Sequence, residues 1–136
     1  MIHYVTLGTN NLVRARSFYA PVLATLGVVV LNEGDSETAY GLPSAEQPSL
    51  YVTQPYDGQS ATRGNGSMLA LTAQTAEQVQ AFLAAARAHG GLDEGAPGLR
   101  YCPTFYSCYV RDPDGNKLSA VCDRPENANP AQSMTP

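Results

Sequence analysis

The sequence has few side chains suited to chemistry: two histidines, three cysteines and eight tyrosines among 136 residues. His3 sits in the opening segment, where an imidazole that titrates near neutrality could act as a general base or donate to a ligand carbonyl. His89 falls late in a helical pattern, near its negative end, and reads as a surface residue. Cys102 lies in Arg100-Tyr101-Cys102-Pro103-Thr104, with Arg100 as the nearby cation that a reactive thiolate would need. An odd number of cysteines without CxxC spacing excludes a disulfide framework and a structural zinc site. Tyr101, Tyr106 and Tyr109 cluster in sequence, and Tyr51 occupies a comparable strand, so an aromatic wall for a small molecule is expected.

These residues must be placed by a repeated unit. His3-Tyr4-Val5-Thr6-Leu7 precedes a helical stretch containing Phe18 and ending at Leu26-Gly27, and Met68-Leu69-Ala70-Leu71-Thr72 precedes another containing Phe82 and ending at Gly90-Gly91. The strands match at an offset of 65 and the helices at 64, which sets Met68 opposite His3. Asn10 or Asn11 can cap the first helix, whose pattern runs through Pro21 and predicts a kink or a tightened last turn. Thr75 with Gln78 forms a capping box for the second. Further strands are expected at Val28–Leu31, Glu37–Gly41, Ser49–Thr53, Leu99–Tyr101, Phe105–Arg111 and Lys117–Cys122, with a glycine-rich loop before Leu99.

Asp112-Pro113-Asp114-Gly115 marks a hairpin whose glycine supplies a left-handed residue. Pairing Asp112 with Asn116 puts Ser107, Tyr109, Arg111, Lys117 and Ser119 on one polar face. Cys108, Val110, Leu118, Ala120 and Cys122 then form an apolar face that packs under helices. The expected class is α+β: two βαβββ modules forming a curved eight-stranded sheet around a pocket, helices outside. Module one spans 1–55, a linker 56–65 and module two 66–123, together one domain, with a poorly ordered tail at 124–136.

A net charge of −4 excludes a nucleic-acid partner. No apolar run approaches the ~20 residues of a membrane span, and the opening strand pattern is no signal peptide, so a cytoplasmic location is expected.

The strand with His3, Asn-Leu-x-x-Ala-x-x-Phe-Tyr, the Leu-Gly ending and Asp-Pro-Asp-Gly-Asn before the last strand together resemble the vicinal oxygen chelate superfamily. Glyoxalase I, extradiol dioxygenases and bleomycin-resistance proteins are members. Gly64-Asn65-Gly66-Ser67 and Gly95-Ala96-Pro97-Gly98-Leu99-Arg100-Tyr101 resemble its small glyoxalase-like proteins. The resemblance covers about residues 1–123 and implies paired βαβββ modules around an open pocket, commonly in a homodimer. It also implies a divalent metal held from the first and last strands of both modules. Those positions here are His3, Ser49, Met68 and Ser119. A hard ion wants imidazole and anionic oxygen, whereas a thioether is soft and a serine hydroxyl is a poor ligand. No metal or other cofactor is therefore expected. The reading is a metal-free small-molecule-binding protein, with His3 as candidate base and Ser49, Tyr51, Met68, Tyr101, Cys102, Tyr109 and Ser119 around the ligand. The alternative is a glyoxalase-like lyase or isomerase using His3 as a metal ligand or as general base.

Overall fold

The computed structural model describes residues 1–123, and the expected tail lies outside the described residues. Chain order is β1 (Val5–Gly8), α1 (Leu12–Ala24), β2 (Val29–Glu33), β3 (Glu37–Gly41), β4 (Leu50–Thr53), β5 (Leu69–Thr72), α2 (Ala76–Ala88), β6 (Leu92–Leu99), β7 (Phe105–Arg111) and β8 (Lys117–Asp123). The order βαβββ occurs twice, as the repeat requires. The strands divide into two four-stranded sheets, β1-β4-β3-β2 and β5-β8-β7-β6, instead of one continuous ladder of eight. In each, the module's first strand pairs parallel with its last and occupies a sheet edge.

The helix ends follow local chemistry. Asn11 accepts from the Arg14 amide at 3.0 Å, and Thr75 accepts from the Gln78 amide at 3.1 Å. Beyond Pro21, the amides of Thr25, Leu26 and Gly27 bond three residues back, so the helix ends in a tightened turn. Gly27, at φ 76°, then takes the left-handed conformation that leads the chain away.

Both helices bury their apolar stripes in one core. Phe18, Tyr19, Val22 and Leu23 of α1 join Val79, Phe82 and Ala86 of α2 over Tyr40, Val52, Val110 and Leu118. Cys108 and Cys122 are buried with them, and burial pushes the Cys108 thiol up to about 11. Module one seats directly on module two at Gly91, where a Cβ would lie 2.8 Å from Cε2 of Phe18. Only glycine leaves room for that ring.

Tyr40 is fully buried beside Tyr19, and burial pushes its pKa to about 12 from an ordinary 10.0. The folded protein therefore keeps a proton that the unfolded chain releases near pH 10. This stabilising contribution is complete below pH 10 and is lost as pH rises toward 12. Tyr40→Phe should flatten that part of the alkaline limb in a series of urea unfolding curves. An unchanged limb would place the alkaline sensitivity elsewhere.

The hairpin register is as expected: Tyr109 faces Ser119, Ser107 faces Val121, and Gly115 has φ 91°. Two expectations fail. The glycine-rich segment is not a loop but β6, an edge strand whose register shifts at Asp93/Gly95 and Gly95/Gly98. Bulges at an edge accommodate Pro97 and the glycines, which propensity alone assigns to a loop. The expected strand over Leu99–Tyr101 correspondingly stops at Leu99.

The second correction concerns the repeat. β1 and β5 match at an offset of 64, the same as α1 and α2, with no residue lost between strand and helix. Val5 pairs with Leu50 and Leu69 with Leu118, both on the helix-facing side. Met68 is therefore equivalent to Tyr4, not to His3. A one-residue slip in a strand exchanges its two faces, and both alignments alternate equally well in sequence.

The Asp-Pro-Asp-Gly-Asn turn also joins the modules. Asp112 accepts from the Tyr19 hydroxyl of α1, from the Asn116 side chain at 2.8 Å, and from the Asp114 and Asn116 amides. Asn116 donates across to the Gly8 carbonyl at 3.0 Å. Asp114 takes the Thr9 hydroxyl at 2.5 Å, the Asn10 amide at 2.9 Å and Arg14 at 2.8 Å. A turn at the end of module two thus caps the β1–α1 junction of module one. At the same junction, Asn10 pins the linker through both groups of Ala61.

Candidate functional site

Each sheet has one face under a helix and one open face. In module one the open face carries Tyr4, Thr6, Thr53 and Glu37, which line a cavity of about 840 Å³ with Tyr56 and Asp57 from the linker side. Its wall contains two carboxylates and no cation. In module two the open face carries Met68, Tyr109 and Lys117, which line a cavity of about 470 Å³ with Glu94, Gly95, Arg100 and Tyr101. A third cavity of about 460 Å³ lies between β1 and β5, with Met68 and Lys117 again in its wall.

The module-two cavity is built from the hairpin and the turn before it. Alternation along β7 and β8 aims Tyr109 and Lys117 to the same side, and the Lys117 ammonium lies 5.3 Å from the Tyr109 ring centroid. Arg100 is 8 % exposed, and its guanidinium lies 5.0 Å from the same centroid. That guanidinium donates to the carbonyls of Ala96, Gly98 and Ser107. Gly95 makes room for both groups: a Cβ there would approach Tyr109 to 2.8 Å and Arg100 Nη2 to 3.2 Å. Ser119 lies opposite Tyr109 in the ladder, fully buried, and its hydroxyl has no hydrogen-bond partner among the described residues.

Tyr101 occupies a tight turn in which the Cys102 amide bonds to the Arg100 carbonyl at 2.7 Å. Its φ of 66° is rare for a bulky residue and stores local strain. The turn throws the Tyr101 ring outward against Phe105, and a hydrogen bond to Tyr109 raises its pKa.

The sequence-derived candidates therefore separate. Met68, Tyr101 and Tyr109 share one cavity wall, with Ser119 beside them in the sheet. Tyr51 lies on the open face of module one, its ring 5.2 Å from that of Tyr4. Ser49 is exposed next to β4, and its carbonyl accepts from Val5. His3 is exposed, its ring edge against Tyr4, and it is absent from the walls of the three cavities. Cys102 sits 3.3 Å from the Thr104 hydroxyl, and hydrogen bonds from Thr104, not Arg100, lower its pKa. Sequence reasoning missed Arg100 and Tyr4 as open-face groups. Nothing in the glycine-rich segment signals where Arg100 turns, whereas the helix offset of 64 was a usable signal for Tyr4.

The strand registers also correct the last-strand position: Tyr51, opposite Thr6, matches Ser119, opposite Ala70. The first- and last-strand positions thus carry Tyr4, Tyr51, Met68 and Ser119, and Ser49 lies just before β4. Two phenols, a serine hydroxyl and a thioether do not fit a hard divalent ion. Among the described residues no group of three or more histidine, cysteine or acidic side chains is arranged to hold a metal.

Residues 1–119 match the Glyoxalase/Bleomycin resistance protein/Dioxygenase superfamily, and the chain belongs to it. Among solved structures it is similar to a glyoxalase/bleomycin resistance protein from Albidiferax ferrireducens T118. The two are 39% identical, with a TM-score of 0.78 over 87% of this chain and 94% of that one. A lactoylglutathione lyase from Agrobacterium tumefaciens shares the fold at 18% identity and TM-score 0.60, over 89% of this chain and 92% of that one. Glyoxalase I from Zea mays (a V278E mutant) shares it at 23% identity and TM-score 0.67, over 88% of this chain and 44% of that one. No curated protein matches the sequence.

Proposed function

We propose that this chain is a small-molecule-binding protein of the glyoxalase fold that works without a metal. One observation carries the reading: the strand registers put Tyr4, Tyr51, Met68 and Ser119 at the four first- and last-strand positions, and none of these is a donor suited to a hard divalent ion. Meanwhile the open face of module two keeps a cavity walled by Tyr101, Tyr109 and Met68. Aromatic and thioether groups give apolar contact area, and the tyrosine hydroxyls can orient a polar ligand.

The reading extends to a homodimer in the cytoplasm. Exposed Ile2, Tyr4 and Met68 on or beside the edge strands β1 and β5 support the first, and three free thiols support the second. Among the described residues no helix is long and apolar enough to cross a membrane.

Calorimetric titration of purified protein with Ni²⁺, Zn²⁺ and Co²⁺ tests the reading, combined with a thermal-shift screen of small organic ligands. The expected result is no stoichiometric metal binding and at least one ligand whose affinity is the same with and without chelator. One tightly held metal per subunit would overturn it, and sedimentation velocity checks the dimer.

A further inference from the structure

We propose that Arg100 and Lys117 form an oxyanion subsite on the open face of module two, and that the natural ligand carries a carboxylate there. The inference rests on the small-molecule-binding reading and names its ligand class.

Charge is the first argument. Arg100 is buried, yet neither it nor Lys117, the single lysine of the sequence, has a carboxylate partner among the described residues. The cavity's own carboxylate, Glu94, is bonded to Arg111 at 3.2 Å. Carbonyls satisfy the Nη hydrogens of Arg100 without neutralising its charge, and a buried cation without a counter-ion is unfavourable. A protein of net charge −4 therefore holds an electropositive cavity, while the cavity of module one is acidic. Such a cavity concentrates anions.

Construction is the second argument. Both cations converge on the Tyr109 ring, Gly95 leaves the space they need, and Tyr101 joins the cavity wall. Beside Tyr109 lies the buried Ser119 hydroxyl, which lacks a partner among the described residues. With the Nη hydrogens of Arg100 largely engaged, its Nε–H and the Lys117 ammonium are left for the ligand, which suits a single negative charge. The apolar body of the ligand would lie against Tyr101, Tyr109 and Met68.

The test is an amide-resolved NMR titration of the full chain with benzoate, phenyl phosphate and the neutral isostere benzamide, repeated on Lys117→Met. This variant leaves the buried Arg100 in place, which guards against loss of the fold. Benzoate should bind about tenfold or more tightly than benzamide, with shifts centred on Gly95 and Tyr109, and Lys117→Met should abolish the preference. Equal affinities for benzoate and benzamide would overturn the subsite while leaving a small-molecule pocket standing. A preference that survives Lys117→Met, or no binding of any probe, would also overturn it. Tighter binding of phenyl phosphate than benzoate would replace the carboxylate with a phosphate.

Discussion

Asp112→Ala is expected to lower the unfolding free energy by about 3–5 kcal/mol, a large share of the stability of a domain this size. The substitution removes an acceptor that serves the Tyr19 hydroxyl, the Asn116 side chain and two backbone amides, all at a junction between modules. Tyr19 and Asn116 are buried, so their donors cannot all recover water. Tyr19→Phe removes one of these bonds and should cost about 1–3 kcal/mol. Arg14→Ala breaks only a partly exposed ion pair with Asp114 and should cost less than about 1 kcal/mol. Chemical denaturation of the three variants gives the ranking. If Asp112→Ala costs no more than Arg14→Ala, the turn is a local hairpin device and not a clasp between modules.

The clasp also predicts a pH dependence. Burial raises the Asp112 carboxyl above its ordinary 3.8, while hydrogen bonds from Tyr19 and Asn116 pull it partly back. A raised folded-state pKa makes the group's contribution complete below the ordinary value, and it is lost as pH rises through the folded one. Asp112→Asn should remove that component from a stability–pH profile starting near pH 4.

The second large effect comes from rebuilding the missing donors. Met68→His with Ser119→Glu places an imidazole and a carboxylate on the same open face of module two. Ser119 is fully buried, so without metal the glutamate should destabilise the variant by about 3 kcal/mol or more. Ni²⁺ or Zn²⁺ should restore much of that loss, because an ion that binds only the folded state stabilises it. Thermal unfolding with and without metal, beside calorimetry, reads both halves. A variant equally unstable in both conditions, with no heat of binding, would show that Met68 and Ser119 do not converge on an ion. Adding Tyr4→His tests the corrected equivalence. A further gain in affinity would show that module one contributes to the same site, and His3 should be dispensable for it.

What the sequence determined alone was whatever depends on neighbours along the chain. Asn11 and Thr75 as caps, the tightened turn after Pro21, the Asp112–Asn116 hairpin and the alternation that buries Cys108 and Cys122 all follow from local geometry. Together with the repeat, they were enough to give the fold class and the polar face bearing Tyr109, Lys117 and Ser119. The donor chemistry at Met68 and Ser119 was equally legible, because residue type alone makes them poor ligands.

Only the tertiary structure decided what depends on a distant partner. The registers of β1 on β4 and of β5 on β8 fixed which alignment holds. Tyr4 thus replaced His3, as the helix offset of 64 already signalled, and Tyr51 replaced Ser49, for which the sequence carried no such signal. The glycine-rich segment became β6 because β7 offered it a ladder, with bulges accommodating Pro97. Arg100 turned to carbonyls and Tyr109 instead of toward Cys102, and Asp112 and Asp114 reached across to the β1–α1 junction of module one. Hydrogen bonds and charges between residues roughly 100 positions apart leave no periodic trace in a sequence, and the same long-range packing arranged the cationic cavity.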